Sequence, residues 1–188
     1  NINNKDIDLI IVATTTPDKT FPATAVMVQS ELNIGICPAF DIQAVCAGFI
    51  YALNVGSSLL KTSNFSKALV IGSESFSKIL DWSDRSTSVL FGDGAGAFVL
   101  EKTNENSEWG ILSSNFYSNG NFSNILHTDG GPSINSQVGK VRMNGKEVFK
   151  HAVEKLSSCL IDAINSANLK IQDIDFLVPH QANFRIIE

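Results

Sequence analysis

The sequence predicts an α/β fold built around a parallel β-sheet. Short apolar runs, typical of strands buried on both faces, alternate with segments whose apolar residues recur at helical spacing. Apolar residues make up 44% of the 188 residues and charged residues 18%. That composition supplies enough apolar surface for a packed core and argues against disorder. The order strand, helix, strand, helix, strand is typical of parallel sheets with helical crossovers.

The first elements follow in order from the apolar pattern. Asp8 to Ala13 contains a Leu-Ile-Ile-Val run, which predicts a strand covered on both faces. Pro22 suits a first helical position, and the apolar residues after it keep helical spacing to about Asn33. Three further buried elements are predicted: a strand from Phe40 to Val45, an all-round apolar helix from Ala47 to Leu60, and a strand from Lys67 to Ser73.

The middle of the sequence is richer in glycine and polar residues. Gly92 to Gly96 predicts a tight turn with close backbone contact, which feeds a strand from Ala97 to Glu101. Trp109 to Asn115 is expected to pair beside that strand. Tyr117 to Gly139 is expected to be a long, partly mobile loop, and loops of that length are often functional.

The last part of the sequence begins with its clearest amphipathic helix, predicted from Lys146 to Asn168. A buried strand from Asp175 to Pro179 is expected to follow and to deliver His180. The helix has one predicted apolar face, formed by Val148, Phe149, Ala152, Val153, Leu156, Cys159, Leu160, Ala163, Ile164 and Ala167.

A short internal repeat indicates a duplicated architecture. Asp6 to Val12 and Asp173 to Val178 share the pattern Asp-Ile-Asp followed by an apolar run, and each leads into a turn. At this offset, the equivalent of the segment around Cys46 would lie beyond Glu188. We therefore expect a first half at residues 1–115, a loop excursion at 116–145 and the start of a second half at 146–188.

Charge and cysteine content exclude several classes of protein. A net charge of −5 argues against a nucleic-acid-binding protein. No apolar run approaches the roughly 18 residues that a membrane-spanning helix needs. The three cysteines are widely spaced and odd in number, which favours a reducing cytoplasm over a disulfide framework. The histidines and cysteines lack the spacing of metal ligands, so no metal is expected.

Cys46 is the first candidate for chemistry, because it lies where a strand pattern ends and a helix pattern begins. The positive end of a helix favours the thiolate, which is the nucleophilic form of cysteine. Ala47 and Gly48 are small, and backbone N–H groups at the start of a helix could hold an oxyanion. The alternative is inert packing, which is common for free cysteines and is our interpretation of Cys159.

His180 is the second candidate, because it follows a predicted strand at the edge where α/β folds place their sites. Its imidazole could donate a hydrogen bond to a carbonyl or act as a base, although a lone histidine is more often structural. Phe149 could line a pocket or pack in the core. Arg185 could bind an anionic partner or be solvated. The Gly92 to Gly96 segment lacks the lysine and helix of a phosphate-binding loop.

Four motifs, taken in order, resemble those of the β-ketoacyl-acyl carrier protein synthase III family. They are A-V-C-A-G-F around Cys46, F-G-D-G-A-G-A from Phe91 to Ala97, N-G-K-E-V-F-K from Asn144 to Lys150, and V-P-H-Q-A-N-F-R from Val178 to Arg185. The resemblance covers essentially the whole chain. It implies the thiolase-like fold, a layered α/β fold of two similar halves, which agrees with the internal repeat.

The resemblance implies an acyltransferase that initiates type II fatty-acid synthesis, in the cytoplasm and as a homodimer. An acyl-CoA, usually acetyl-CoA, would acylate the cysteine. Malonyl-acyl carrier protein would then lose CO2 and attack the acyl-cysteine, giving a 3-oxoacyl-acyl carrier protein. No cofactor is implied, since the CoA thioester is a substrate.

The family's site residues carry over by motif. Cys46 would be the nucleophile, and its backbone N–H would help to form the oxyanion hole. His180 would hydrogen-bond the thioester carbonyl as enolate charge develops. Phe149 would form a wall of the acyl pocket, and Asn183 would contact the CoA or phosphopantetheine arm. The implied carrier-protein-binding residues are Gln181, Ala182, Asn183, Phe184 and Arg185.

One departure from the family limits these expectations. The family's third catalytic residue is an asparagine downstream of P-H-Q-A-N, and this sequence ends before it. This sequence also lacks the family's N-terminal strands and helix and the glycine-rich segment near the family's C-terminus. We therefore expect a fold that is incomplete at both ends, with exposed apolar surface and little or no condensation activity in this chain alone.

Three alternatives remain open on the sequence. A related condensing enzyme that makes polyketides, quinolones or another 3-oxo product would use the same fold and nucleophile. A non-catalytic binding or scaffold fragment is a second alternative, and a cysteine protease that uses Cys46 and His180 as a dyad is a third.

Overall fold

The computed structural model describes residues 2–103 and 109–187, which form two compact units. The first unit comprises Asn1–Glu74 and Gly94–Leu112, and the second comprises Ser75–Asp93 and Ser113–Glu188. The helices and strands, in chain order, are β1 (Leu9–Ala13), α1 (Thr24–Glu31), β2 (Ala39–Ile42), α2 (Gly48–Thr62), β3 (Lys67–Ser75), α3 (Arg85–Ser88), β4 (Asp93–Glu101), β5 (Leu126–Thr128), β6 (Val141–Met143), α4 (Gly145–Ser166) and α5 (Phe184–Ile187).

A four-stranded sheet in the order β2-β1-β3-β4 forms the centre of the first unit. β1 pairs in parallel with both neighbours, and its last residue, Ala13, lies opposite Ile42 of β2 and Gly72 of β3. The end of β4 lies beside the start of β3, since Lys67 forms an ion pair of 2.8 Å with Glu101. β4 therefore runs antiparallel to β3. The predicted α/β class with parallel pairing is confirmed.

The two faces of β1 explain why its sequence is continuously apolar. Alternate residues point to opposite faces of a strand. Leu9 and Ile11 pack in one buried cluster with residues of α2, whereas Ile10 and Val12 pack in another with Ala25 of α1. Because each face is covered by a helix, every residue of β1 is buried. This element was predicted correctly.

Two helices of the first unit differ from their predicted form. α1 begins at Thr24 with Ala23 at its N-cap, so Pro22 is not the first helical residue. The Asp41 carboxylate of β2 accepts hydrogen bonds from the Thr24 and Ala25 amides, at 2.7 and 2.8 Å, and satisfies the start of this helix. The prediction that α2 is buried on nearly every side was wrong: only one stripe is buried, formed by Gly48, Ala52, Gly56 and Leu60.

The second unit contains a short antiparallel pair of strands and the long helix. β5 pairs with β6 from Leu126 opposite Met143 to Thr128 opposite Val141. A small core of Phe76, Ile79, Leu80 and Val141 lies beside this pair. α4 confirms the predicted amphipathic helix to within about two residues at each end. Its predicted apolar face is not core, however, because only Ile164 is buried and Phe149 is 39% exposed.

Three further segments differ from the sequence-based predictions. Gly94 and Gly96 lie inside β4, and a Cβ atom on either would meet nothing within 4 Å, so neither a turn nor a close approach explains them. The described part of the predicted strand at Trp109 to Asn115 has no strand structure. The predicted buried strand at Asp175 to Pro179 is irregular and exposed: Phe176 is 89% and Val178 is 90% exposed. An apolar run becomes a strand only where a neighbouring strand completes its hydrogen bonds, which sequence periodicity does not reveal.

Arg142 of β6 links two carboxylates of the second unit, and this contact makes the stability of the unit depend on pH in the acid range. Its guanidinium donates to Asp129 at 2.7 Å and to Asp81 at 2.9 Å. Hydrogen bonds from Ser83 and Arg142 lower the pKa of Asp81 from its ordinary 3.8 to about 2. The carboxylate therefore stabilises the fold above its ordinary pKa, and that contribution disappears as the pH falls through the folded value.

We expect Asp81→Asn to reduce the acid sensitivity of the unit. The midpoint of thermal unfolding of the wild type should fall more steeply than that of the variant between about pH 4 and pH 2. The exposed loop residue Asp18, replaced by asparagine, provides the control. Parallel midpoint curves for the wild type and Asp81→Asn over this interval would contradict the assignment.

Candidate active site

Cys46 lies at a sharp junction between strand and helix in the first unit. β2 ends at Ile42, Val45–Ala47 forms a single 3-10 turn, and α2 begins at Gly48. Val45 has a φ of 47°, in the left-handed region that β-branched residues avoid. Such a conformation costs on the order of 1–3 kcal/mol and persists where the surrounding structure enforces it. The sequence pattern, in which Val45 extends the strand, did not predict this strained backbone.

Small residues bring the start of α2 close to the ends of the strands. A Cβ atom on Gly48 would lie 3.4 Å from the Cβ of Ala13, and one on Gly72 would lie 3.1 Å from the Phe49 ring. Phe49 also contacts Phe98 of β4, with ring centroids 5.7 Å apart. The junction that carries Cys46 is therefore packed directly against the carboxyl ends of β1 and β3.

The Cys46 thiol is less acidic than the sequence predicted. Desolvation by surrounding protein atoms is the largest effect and raises the pKa of the thiol, even though Cys46 as a whole residue is exposed. A hydrogen bond from its own backbone N–H lowers the pKa, while the negative charge of Glu74 raises it. The net effect is upward, so the expected helix-stabilised thiolate is wrong for this structure, and the thiol form is favoured.

Glu74 also organises the turn that follows β1. Its Oε1 accepts a hydrogen bond of 2.8 Å from the Thr15 amide, and its Oε2 accepts one of 2.7 Å from the Thr16 hydroxyl. Glu74 was not predicted as a site residue, because nothing in its local sequence distinguishes it from a surface residue at the end of a strand. The pairing of β1 with β3 is what brings it to this turn.

His180 lies in the second unit, on the exposed irregular segment that precedes α5. The Asn183 side chain is engaged locally: its Oδ1 accepts a hydrogen bond of 3.0 Å from the Arg185 amide at the start of α5. The neighbouring Gln181, Phe184 and Arg185 are exposed, and Ala182 is half-buried. These predicted partner-binding residues thus form one continuous segment.

Phe149 lies on α4, also in the second unit. Two contacts of this helix with the preceding loop were not predicted from the sequence. The Phe122 ring lies 4.0 Å, centroid to centroid, from the His151 ring on α4. The Tyr117 hydroxyl donates a hydrogen bond of 3.1 Å to Asp162 of the same helix. The loop from Tyr117 to Gly139 is therefore tied to α4 at two points.

The predicted site residues are thus divided between the two units. Cys46 is in the first, with Glu74 and the Thr14 to Thr16 turn; Phe149, His180 and the segment from Gln181 to Arg185 are in the second. Among residues 2–103 and 109–187, no three His, Cys, Asp or Glu side chains are placed to share a metal ion. None of the helices that the structure describes combines the length and apolar character of a membrane span.

The chain is similar along its whole length to one family of enzymes. The family model of 3-oxoacyl-(acyl-carrier-protein) synthase III matches residues 40–120, which include the Cys46 junction. The β-ketoacyl-(acyl-carrier-protein) synthase III of Wolbachia pipientis is 58% identical over 188 residues, which is 100% of this chain and 58% of the relative. That of Rhizorhabdus wittichii is 55% identical over 97% of this chain and 57% of the relative.

Solved structures agree with the sequence comparison. The 3-oxoacyl-(acyl-carrier-protein) synthase III of Aquifex aeolicus superimposes with a TM-score of 0.91 and 42% identity, over 99% of this chain and 57% of that one. The priming β-ketosynthase of the R1128 polyketide pathway superimposes with a TM-score of 0.85 and 32% identity, over 99% of this chain and 56% of that one. The thiolase-like fold is confirmed. The chain spans a little under three fifths of the length of these relatives, and it belongs to the 3-oxoacyl-(acyl-carrier-protein) synthase III family.

Proposed function

We propose that the full-length protein catalyses the decarboxylating condensation of an acyl-CoA with malonyl-acyl carrier protein. The product is a 3-oxoacyl-acyl carrier protein, and the reaction initiates type II fatty-acid synthesis. One observation carries the proposal: Cys46 lies on a strained junction between β2 and α2, within the segment that matches the family model. Similarity at 52–58% identity to eight synthases of this kind supports the same chemistry.

Cys46 carries the acyl group in the first half-reaction. Its Sγ attacks the thioester carbonyl of acyl-CoA, the thiol proton is lost, and the CoA sulfur leaves and is protonated. The backbone N–H of Cys46, which already hydrogen-bonds to its own sulfur, is one donor available for the oxyanion of the tetrahedral intermediate. Because the thiol form is favoured at rest, proton removal is part of this step.

His180 assists the second half-reaction. Malonyl-acyl carrier protein loses CO2, and the electron pair of the broken C–C bond forms an enolate at the thioester carbonyl. An imidazole N–H of His180 donates a hydrogen bond to that oxygen as negative charge develops. The enolate carbon then attacks the acyl-Cys46 carbonyl, and the Cys46 sulfur leaves as the new C–C bond forms.

The segment from Gln181 to Arg185 binds the carrier protein or its phosphopantetheine arm. The exposed Arg185 guanidinium suits an acidic carrier protein or a phosphate, since arginine can pair with a phosphate through two parallel hydrogen bonds. Asn183 contacts the arm, and Phe149 forms a wall of the acyl pocket. We propose further that the full-length protein is a cytoplasmic homodimer.

Acyl-CoA profiling of the full-length protein tests the proposed reaction. Purified protein is supplied with malonyl-acyl carrier protein and a series of acyl-CoA substrates of increasing chain length, and 3-oxoacyl product is measured. We expect acetyl-CoA to give the highest kcat/KM. Indifference to malonyl-acyl carrier protein would contradict the proposed role in fatty-acid synthesis.

A related condensing enzyme of polyketide synthesis is the second candidate. It is favoured by the similarity to the R1128 priming β-ketosynthase, which is as high in coverage as that to the Aquifex aeolicus enzyme but lower in identity. The same profiling distinguishes the two, because a strong preference for long or aromatic acyl-CoA substrates would support the second.

A further inference from the structure

We propose that Glu74 is a positioning residue for Cys46: its carboxylate fixes the turn after β1 and holds a negative charge beside the nucleophilic thiol. The proposal rests on the nucleophile assigned under the proposed function. It adds a residue that none of the four family motifs contains and that acts through Cys46 rather than on the substrate.

The sheet geometry brings Glu74 and Cys46 to the same edge. Ala13 ends β1 opposite Ile42 and Gly72, so the carboxyl ends of β2 and β3 flank it. Cys46 follows β2 by a few residues, and Glu74 lies at the end of β3. The start of α2 touches Ala13 through Gly48, which brings the junction with Cys46 against the same point.

Two hydrogen bonds hold the Glu74 carboxylate in place. The Thr15 amide donates to one oxygen at 2.8 Å, and the Thr16 hydroxyl donates to the other at 2.7 Å. Since both oxygens are used on one turn, the carboxylate has a defined position and is not a freely rotating surface charge. Its field at the Cys46 sulfur is therefore fixed as well, and this charge raises the pKa of the thiol.

The other ionisable groups near this edge of the first unit do not take this role. Asp41 of β2 directs both oxygens to the start of α1, where they accept from the Thr24 and Ala25 amides. The side chains that α2 and β4 contribute beside the junction are the apolar rings of Phe49 and Phe98. Glu74 is the carboxylate whose charge acts on the Cys46 thiol.

A carboxylate beside a nucleophilic thiol has two chemical consequences. It keeps the resting cysteine protonated and less open to oxidation, because oxidation follows thiolate character. It also makes the thiolate, once formed, more nucleophilic, because nucleophilicity rises with the pKa of the thiol. The enzyme would therefore lose a proton from Cys46 when acyl-CoA is bound rather than hold a thiolate at rest.

Alkylation of Cys46 by iodoacetamide as a function of pH tests the proposal in the full-length protein. Peptide mass spectrometry separates Cys46 from the other cysteines of the protein. We expect Glu74→Gln, which removes the charge and retains an oxygen acceptor, to move the pH-rate profile to lower pH. At a pH below the wild-type midpoint, the rate at Cys46 should rise about threefold or more. Alkylation needs neither CoA nor carrier protein, so this test can fail while the proposed condensation holds.

Two further variants separate charge from shape. Thr16→Val removes one hydrogen bond to Glu74 but keeps its charge and the hydrogen bond from the Thr15 amide, so its pH-rate profile should shift less than that of Glu74→Gln. Glu31→Gln removes an exposed charge at the end of α1 and should also leave the profile unchanged. A Glu74→Gln profile that superimposes on the wild type, or an equal shift in Thr16→Val, would overturn the proposal. If Glu74→Gln does not fold, Glu74→Asp takes its place. Its carboxylate lies one methylene farther from the turn, so the profile should move to lower pH, and a Glu74→Asp profile that superimposes on the wild type would overturn the proposal.

Discussion

Cys46→Ala is expected to abolish both covalent acylation and condensation in the full-length protein. The acyl group has no other carrier in the proposed mechanism, so the loss of kcat should be about 10³-fold or more. Acylation is measured by the mass of the intact protein after incubation with acetyl-CoA, and condensation by formation of 3-oxoacyl-acyl carrier protein.

Cys37 and Cys159 provide matched controls for this variant. Cys37, whose thiol accepts a hydrogen bond from Gln29, and Cys159 on α4 are both half-buried and free. Cys37→Ala and Cys159→Ala should each retain one acyl group per protein. Retention of that acyl group in Cys46→Ala, or its loss in only Cys37→Ala or Cys159→Ala, would show that another cysteine is the nucleophile.

His180→Ala is expected to separate the two half-reactions. In the proposed mechanism this histidine stabilises the enolate, so condensation should fall by about 10²- to 10⁴-fold. Acylation of Cys46 by acetyl-CoA does not require an enolate and should proceed to one acyl group per protein. Decarboxylation of malonyl-acyl carrier protein, followed as release of CO2, should decline together with condensation.

His127→Ala is the control for His180→Ala. His127 is exposed on β5 in the same unit, and its Nδ1 lies 3.1 Å from the Asn124 carbonyl oxygen. The His127→Ala variant should retain both half-reactions. Unchanged decarboxylation in His180→Ala, with thermal stability equal to the wild type, would contradict the assigned role.

The sequence was sufficient for those parts of the fold that depend on local pattern. The apolar run of β1 predicts burial on both faces, and the helical spacing in α4 predicts a long helix, because both depend on neighbours within a few residues. The position of Cys46 between a strand and a helix follows from the same kind of pattern. The ordered motifs around Cys46 and His180 then predicted the family.

Features that depend on long-range contacts could not be predicted in this way. The pKa of the Cys46 thiol is raised mainly by desolvation and to a lesser extent by the charge of Glu74, which lies at this edge because β3 pairs with β1. Both causes depend on residues distant in sequence, so the direction of the pKa shift was predicted wrongly. Phe176 to Val178 is an apolar run like that of β1, yet it is exposed and irregular. Hydrophobic periodicity indicates which residues favour burial, whereas a strand also requires a neighbouring strand that completes its backbone hydrogen bonds.

A sequential mass experiment tests whether Cys46 carries the acyl group for the condensation. The full-length protein is incubated with acetyl-CoA, freed of excess reagent and digested to locate the acyl group. A parallel undigested sample is then given malonyl-acyl carrier protein. We expect one acetyl group on the peptide that contains Cys46, and its transfer into 3-oxoacyl product when the second substrate is added. An acetyl group on another residue, or one on Cys46 that malonyl-acyl carrier protein does not remove, would contradict this expectation.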